Sequence, residues 1–245
     1  MIETLQWTTL AVCGVIAAAR IPSALRGENR SLFGIFALMT LAILLSIQEP
    51  YLIIDQALGG INVANLLLRF VIFGAIFFMG VRVSKGFGAD AAYRLITGRT
   101  GMVALLAVSV VLVAVFLAMD SAGSSAGLAA IAGKDTRNYV LVEYYGAAGR
   151  AYPAFVALAL LPAMVRAVQD RLPILVRVAA GLLALGSVAV ALTLLFPVIP
   201  PALGAIEFVI NYTAVLCFVV GLALIWAARV QNRRVGAARK TSTET

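Results

Sequence analysis

Long apolar stretches separated by short polar connections run along the whole chain. The stretches are 4–19, 31–48, 62–81, 101–119, 139–165, 174–196 and 203–228. Most of them reach or approach the roughly 20 residues that cross a bilayer as a helix. Because an unpaired backbone group is costly in hydrocarbon, a spanning stretch of this kind has to be helical. The pattern predicts an all-α integral membrane protein with seven transmembrane helices.

Residues that break helices lie between these stretches. The second connection holds Pro50 and the third holds Gly86, Gly88 and Gly98, while 121–133 is rich in Gly, Ser and Ala. Such composition is typical of turns and loops, and we expect 121–133 to be a mobile loop. We therefore predict one seven-helix domain over 1–230, followed by a basic tail over 231–245.

Lys and Arg alternate in number from one connection to the next. The first, third and fifth connections hold three, four and three, and five follow the last stretch, whereas the fourth holds two and the second and sixth hold none. Cytoplasmic loops of membrane proteins carry the excess of basic residues. The alternation predicts an N-terminus outside the cell and a cytoplasmic C-terminus.

Composition supports this class and excludes others. Hydrophobic residues make up 62% and charged residues 12%, the mean hydropathy is +1.02, and the net charge of +8 follows from topology rather than from nucleic-acid binding. Since the chain has no histidine, most zinc and haem sites are excluded. Cys13 and Cys217 lie in apolar stretches and are expected to be packing residues rather than a disulfide. We predict neither a metal nor a cofactor, and no enzyme activity, because no catalytic constellation is present.

Ionisable and amide side chains interrupt the apolar stretches at one depth, near the predicted outer surface. Such residues are costly in a membrane and commonly functional. They predict an outward-facing polar cavity lined by Glu49, Asn65, Arg69, Glu143, Tyr145, Arg150, Glu207, Asn211 and Tyr212.

Arg69 and Arg150 lie deepest in this set and need acidic partners, for which Glu49, Glu143 and Glu207 are available. A planar guanidinium also suits an anionic or carboxylate-bearing ligand. The structural alternative is that these residues form ion pairs at helix ends, within reach of water.

Two short segments of the chain resemble each other and suggest an internal repeat. Residues 59–62 open the third stretch as Gly-Gly-Ile-Asn, and residues 204–207 open the seventh as Gly-Ala-Ile-Glu. Parallel repeats are one plan of transporter folds. The similarity therefore predicts a 3+1+3 layout, in which stretches one to three and five to seven are repeats on either side of the fourth helix.

Three further elements carry a family resemblance. They are Ile-Pro-Ser-Ala-Leu-Arg at 21–26, Gln-Glu-Pro-Tyr at 48–51 leading to Gly-Ile-Asn-Val-Ala-Asn-Leu-Leu at 60–67, and a Tyr-rich fifth stretch before an Arg-bounded loop. Over about 20–195 the chain resembles the membrane half of an actinobacterial seven-helix family described only as candidate transporters. The resemblance implies a bacterial plasma membrane as the location. Longer members carry a soluble C-terminal domain, which we expect to be absent because this chain ends 17 residues after Ala228.

The sequence thus predicts a multi-pass protein that binds or transports a small anionic molecule. The alternative is a non-transporting receptor or partner subunit that signals through its cytoplasmic loop 84–100 and basic tail. Expected partners are membrane lipids, a small-molecule ligand and a cytoplasmic protein, but no nucleic acid.

Overall fold

A computed structural model describes residues 2–27 and 30–199, and part of 206–228 (206–207, 209–210, 213–214, 216–218, 220–222, 224–225 and 228). Helices account for nearly all of these residues, and no strand occurs among them. The all-α prediction is therefore confirmed for the part of the chain that the structure describes. Trp226, the basic tail and the predicted ligand residues Asn211 and Tyr212 lie outside the described residues.

The α-helices between residues 2 and 199 are α1 (Ile2–Leu25), α2 (Arg30–Ser46), α3 (Gln48–Ala57), α4 (Val63–Gly86), α5 (Asp90–Thr97), α6 (Arg99–Ala118), α7 (Ala129–Ala132), α8 (Thr136–Gln169) and α9 (Ile174–Leu192). Short 3₁₀ segments precede α7 and follow α9, at Ala126–Leu128 and Thr193–Val198.

Four helical segments are long and apolar enough to cross a membrane: Val63–Gly86, Arg99–Ala118, Thr136–Gln169 and Ile174–Pro197. They coincide with the third to sixth predicted stretches, and they indicate a membrane-spanning protein. The first stretch lies within α1, and the described residues of the seventh are helical. The count of seven spans, their orientation and the 3+1+3 repeat stay predictions.

The second stretch is not one straight helix. Its axis turns by 92° between Phe33–Ser46 and Gln48–Ala57, with Ile47 in an extended conformation. Pro50 explains the turn, because proline has no N–H to donate to the Ser46 carbonyl and so cannot continue α2. If this bent pair forms one span, the described residues contain five.

Glycines bring the long helices close together. A methyl group added to Gly74 would lie 3.0 Å from a Leu38 methyl, and one added to Gly80 would lie 2.7 Å from Val156 Cγ1. In lipid the hydrophobic effect does not drive helices together, because the acyl chains are as apolar as the side chains. Helices there associate through close packing at such small residues. These contacts fix α4 between α2 and α8. The core beside them contains Phe73, Ile96, Leu112, Phe116, Tyr145, Tyr152, Val156, Leu160, Met164 and Leu183.

Two connections have more structure than the sequence predicts. Residues 126–132, expected to belong to a mobile loop, form a 3₁₀ turn and α7. The third connection contains α5, whose Ala92 and Ile96 are buried. Cys13 and Cys217 are both buried and free, as expected of packing residues.

Candidate functional site

Asp55 belongs to α3, and its fully buried carboxyl group lies at the N-terminal end of α4. Its oxygens accept hydrogen bonds from the backbone N–H groups of Asn62 and Ala64, each at 3.0 Å, and from the Ser124 hydroxyl. A helix N-terminus has free N–H groups and a positive dipole end that favour a carboxylate. Asp55 therefore caps α4 from outside that helix, and its charge is compensated without an ion pair to any described residue.

Asn62 joins three segments through one side chain. Its amide nitrogen donates to the carbonyls of Ser121 and Gly123 at 2.9 and 2.8 Å. Its amide oxygen accepts the Tyr51 hydroxyl at 2.8 Å and the Ser125 N–H at 2.9 Å. The residue has a left-handed backbone conformation, with φ of 61°, which asparagine tolerates better than most residues. We call this arrangement the Asn62 hub; it fastens the loop after α6 to the junction between α3 and α4.

The same loop is tied to the start of α8. Lys134 Nζ lies 3.1 Å from Asp120 Oδ2 and donates to the Asp120 carbonyl at 3.0 Å and to the Ala122 carbonyl at 2.8 Å. This hydrogen-bonded lysine is the main cause that lowers the pKa of the exposed Asp120 carboxyl below its ordinary value. Asp135 accepts the Asn138 N–H as the N-cap of α8. The segment 120–138 is thus held at both ends.

Arg69 lies where α4 touches α8. Asn65, Arg69 and Phe73 share one face of α4, and Tyr145, Gly149 and Tyr152 share one face of α8. The Arg69 guanidinium lies over the Tyr145 ring, 5.5 Å from its centroid, and the Phe73 and Tyr152 rings are 5.4 Å apart. We call these six residues the α4–α8 seam.

Gly149 is what lets Arg69 lie against the backbone of α8. A methyl group placed on Gly149 would be 2.9 Å from Arg69 Nη1 and 3.0 Å from its Cδ and Cζ atoms. That is closer than a carbon normally approaches another side chain, so only glycine fits here without moving the guanidinium. The position of the Arg69 charge therefore depends on the absence of a side chain at Gly149 on the neighbouring helix.

Arg150 lies beside the seam. Its guanidinium is 5.1 Å from the Phe196 ring centroid, and it interacts electrostatically with Arg69, Glu143 and Glu207. Neither arginine forms an ion pair with Glu143 or Glu207, and the Nε atom of each guanidinium is buried without a hydrogen-bond partner among the described residues. The two carboxylates are near enough to act on Arg150 through space, but they do not close onto it.

Several buried polar atoms of the seam and of the neighbouring Arg150 have no hydrogen-bond partner among the described residues. They are Asn65 Oδ1, Arg69 Nε, Tyr145 Oη, Arg150 Nε and Tyr152 Oη. The side chains of Tyr145 and Tyr152 are completely buried, and Asn65 is 4% exposed. Buried polar groups are nearly always paired in folded proteins, so such a concentration on one seam indicates a place for water, an ion or a ligand.

Pro153 adds to this local polarity. It lies inside α8 four residues after Gly149 and therefore offers no N–H to the Gly149 carbonyl. The backbone of α8 thus lacks one helical hydrogen bond at the residue against which Arg69 packs.

The structure brings together the predicted residues Asn65, Arg69, Tyr145 and Arg150, with Glu143 and Glu207 partly buried within electrostatic range of Arg150. The predicted ion pairing of the arginines does not occur among the described residues. Glu49 lies exposed in the first turn of α3.

Sequence reasoning placed Asp55, Asn62 and Tyr152 at the depth of the predicted cavity, but it did not predict the hydrogen bonds of Asp55 and Asn62 or the place of Tyr152 in the seam. Asp55 and Asn62 do carry a weak signal, since an acid followed by a Gly-Gly pair and an asparagine indicates a tight turn before a helix. Tyr152 carries none, because a tyrosine in an apolar stretch is an ordinary core residue.

Comparison of the chain with protein-family models, with curated proteins and with solved structures gives no match in any of the three. The proposals below therefore depend on the residues and geometry of the chain itself.

Proposed function

We propose that this protein is a seven-span bacterial plasma-membrane protein, with its N-terminus outside, that binds a small anionic molecule at Arg69 and Arg150. Four long apolar helices support the membrane location, and the distribution of Lys and Arg supports the orientation. In this orientation the Asn62 hub faces outside, and Arg69 lies about two helical turns below it.

The observation that carries the proposal is a pair of neighbouring, partly buried arginines that form no ion pair with a described residue and whose buried Nε atoms have no hydrogen-bond partner among them. Two like charges that share a poorly solvated place repel each other and lose hydration. An anion between them reverses both effects, and each guanidinium offers a planar set of donors that matches a carboxylate or phosphate.

A second candidate is a receptor that binds the same anion without moving it across the membrane. Deeper in the bundle, the contact between α4 and α8 is apolar: Gly80 meets Val156, and Leu160 and Met164 are buried beyond them. Toward the inner side, the buried polar side chains near this contact are those of Ser84 and Ser187, whose hydroxyls donate within their own helices to the Val81 and Leu183 carbonyls. In the receptor form, the loop 84–100 with α5 and the basic tail would contact a cytoplasmic protein.

The experiment is a thermal-shift screen of the purified protein in detergent with acetate, succinate, sulfate and phosphate. A ligand that binds only the folded state stabilises it by about 2.7 kcal/mol at a hundredfold excess over its Kd. We expect at least one anion to raise the Tm, and the increase to disappear in Arg150→Gln.

Arg69→Met separates binding from folding. Methionine keeps the length of the side chain and removes the charge, so the ligand-free variant should melt at or above the wild-type temperature while its anion response is lost. Arg166→Met is the matched control, because Arg166 is exposed on the same helix as Arg150, and its anion response should equal that of the wild type. A screen without stabilisers, together with a large loss of stability in Arg69→Met, would show that Arg69 is already compensated within the protein.

A further inference from the structure

The α4–α8 seam offers acceptors as well as donors. Asn65 lies one turn before Arg69 on the same face of α4, and its amide oxygen is buried without a partner. Glu143 and Glu207 add two carboxylates near Arg150. A ligand that is only an anion would satisfy the arginines and leave the buried Asn65 amide oxygen without a donor.

The formal charges of this group balance. Arg69 and Arg150 contribute two positive charges, and Glu143 and Glu207 contribute two negative ones. Adding a lone anion gives the group a net negative charge in a place partly shielded from water, which is less favourable than a neutral complex. Adding a molecule that carries one charge of each sign leaves the site neutral.

We propose that the ligand is a zwitterion of the amino-acid class. Its carboxylate lies against the guanidinium groups of Arg69 and Arg150, and its ammonium group lies toward Asn65 Oδ1 and the carboxylates of Glu143 and Glu207. This inference rests on the proposed function, since it assigns the arginines the same anionic group and adds a cationic one.

The dimensions agree with this assignment. Residues four apart on a helix are separated by about 6 Å along its axis. In an α-amino acid, one carbon separates the carboxylate from the ammonium group, and a hydrogen bond of about 2.9 Å extends from each end. An α-amino acid is thus comparable in length to the single helical turn that separates Asn65 from Arg69, beside which the Tyr145 hydroxyl has no hydrogen-bond partner among the described residues.

Matched sets of small molecules test the inference. Each set holds an amino acid, the carboxylic acid that lacks its amino group and the amine that lacks its carboxyl group: L-alanine with propionate and ethylamine, and L-leucine with 4-methylpentanoate and 3-methylbutylamine. We expect at least one amino acid to stabilise the purified protein and its deamino acid to bind at least about tenfold more weakly, because hydrogen bonds to charged groups are lost. The amine should have no effect.

Two variants locate the ammonium group. Glu143→Gln keeps the shape of a partly buried side chain and removes its charge, and Asn65→Leu removes the amide. We expect each to reduce the preference for the amino acid over its deamino acid while binding of the acid continues. Arg69→Met should abolish binding of both.

The outcomes separate the two proposals. Equal binding of an amino acid and its deamino acid, unchanged by Glu143→Gln, would overturn the zwitterion and leave the anion site standing. Absence of binding by every amino acid and every simple anion, phosphate and sulfate included, would overturn both.

Discussion

At the scale of single residues, Gly149 decides where a buried charge lies. The Arg69 guanidinium occupies the space that any other side chain would fill. Position 146, one turn earlier on α8, gives a useful contrast, because a methyl group there would lie 3.4 Å from Arg150 Nη1 and needs only a small adjustment.

Gly149→Ala should therefore destabilise the protein by about 1–3 kcal/mol, the usual cost of inserting a carbon into a packed site. Gly146→Ala should be neutral or stabilising by up to about 1 kcal/mol, since alanine is the better helix former. Thermal melts of both variants in the same detergent provide the measurement. Equal losses in the two variants would show that Arg69 is free to move away from α8.

Lys134 controls the titration of Asp120. The lysine hydrogen bond lowers the pKa of that carboxyl, so the interaction stabilises the native loop at pH values above the ordinary pKa of aspartate. The stabilisation is lost as the pH falls through the lower, native pKa.

Lys134→Met should raise the pKa of Asp120 toward its ordinary value. The measurement is a carboxyl-carbon NMR titration of the labelled aspartates. Lys85→Met removes a different exposed lysine, which lies over the Tyr93 ring, and should leave this titration unchanged. An Asp120 midpoint that Lys134→Met leaves at the wild-type pH would contradict the assignment.

At the scale of elements, the Asn62 hub holds α3, α4 and the loop after α6 in one arrangement. Asn62→Ala leaves the buried Tyr51 hydroxyl and the Ser125 N–H without their acceptor. We expect a loss of about 3 kcal/mol or more, since each unsatisfied buried group costs about 1–3 kcal/mol.

Asn62→Gly should be less damaging than Asn62→Ala by about 1 kcal/mol, because glycine adopts the left-handed conformation without strain. Reversible unfolding in mixed detergent micelles measures both values. Gln56→Ala, at an exposed position on α3, is the control and should stay within about 0.5 kcal/mol of the wild type. Equal values for the glycine and alanine variants would mean that the backbone at 62 relaxes out of the left-handed region.

The apolar pattern predicted α4, α6, α8 and α9, because in a membrane the length of an apolar stretch largely determines the helix. It did not predict the bend between α2 and α3, which depends on one proline inside an otherwise apolar stretch. Nor did it predict that α8 begins at Thr136, since polar residues start that helix and Asp135 caps it.

The candidate site was predictable only in part, for a similar reason. Arg69 and Arg150 are conspicuous as charges within apolar stretches. The contact of Arg69 with Gly149 joins residues 80 positions apart, and the Asn62 hub spans 59 to 63 positions. Such contacts are set by tertiary packing, which hydrophobic periodicity along the chain does not encode.

At the scale of the whole molecule, the orientation in the membrane is the prediction on which every functional proposal depends. Ala130 is exposed in α7, beyond the Asn62 hub, and Ser242 belongs to the basic tail. In a variant with alanine at positions 13 and 217, a cysteine at Ala130 should react with an impermeant maleimide in intact cells. A cysteine at Ser242 should react only after the cells are opened. Labelling of Ser242 in intact cells would contradict seven spans with an outside N-terminus.

Pro153 also affects how α8 can bend, and the effect extends beyond the seam. A proline inside a long helix is a common place for bending, because one hydrogen bond is already missing there. Arg150 lies three residues before Pro153, and Arg166 lies after it in the last turn of α8. A ligand that draws Arg150 toward Arg69 would tilt one half of α8 relative to the other, and the C-terminal end of the helix would be displaced. In the proposed function, binding near one membrane face would thereby be converted into displacement at the other, which is the mechanical requirement that a transporter and a receptor share.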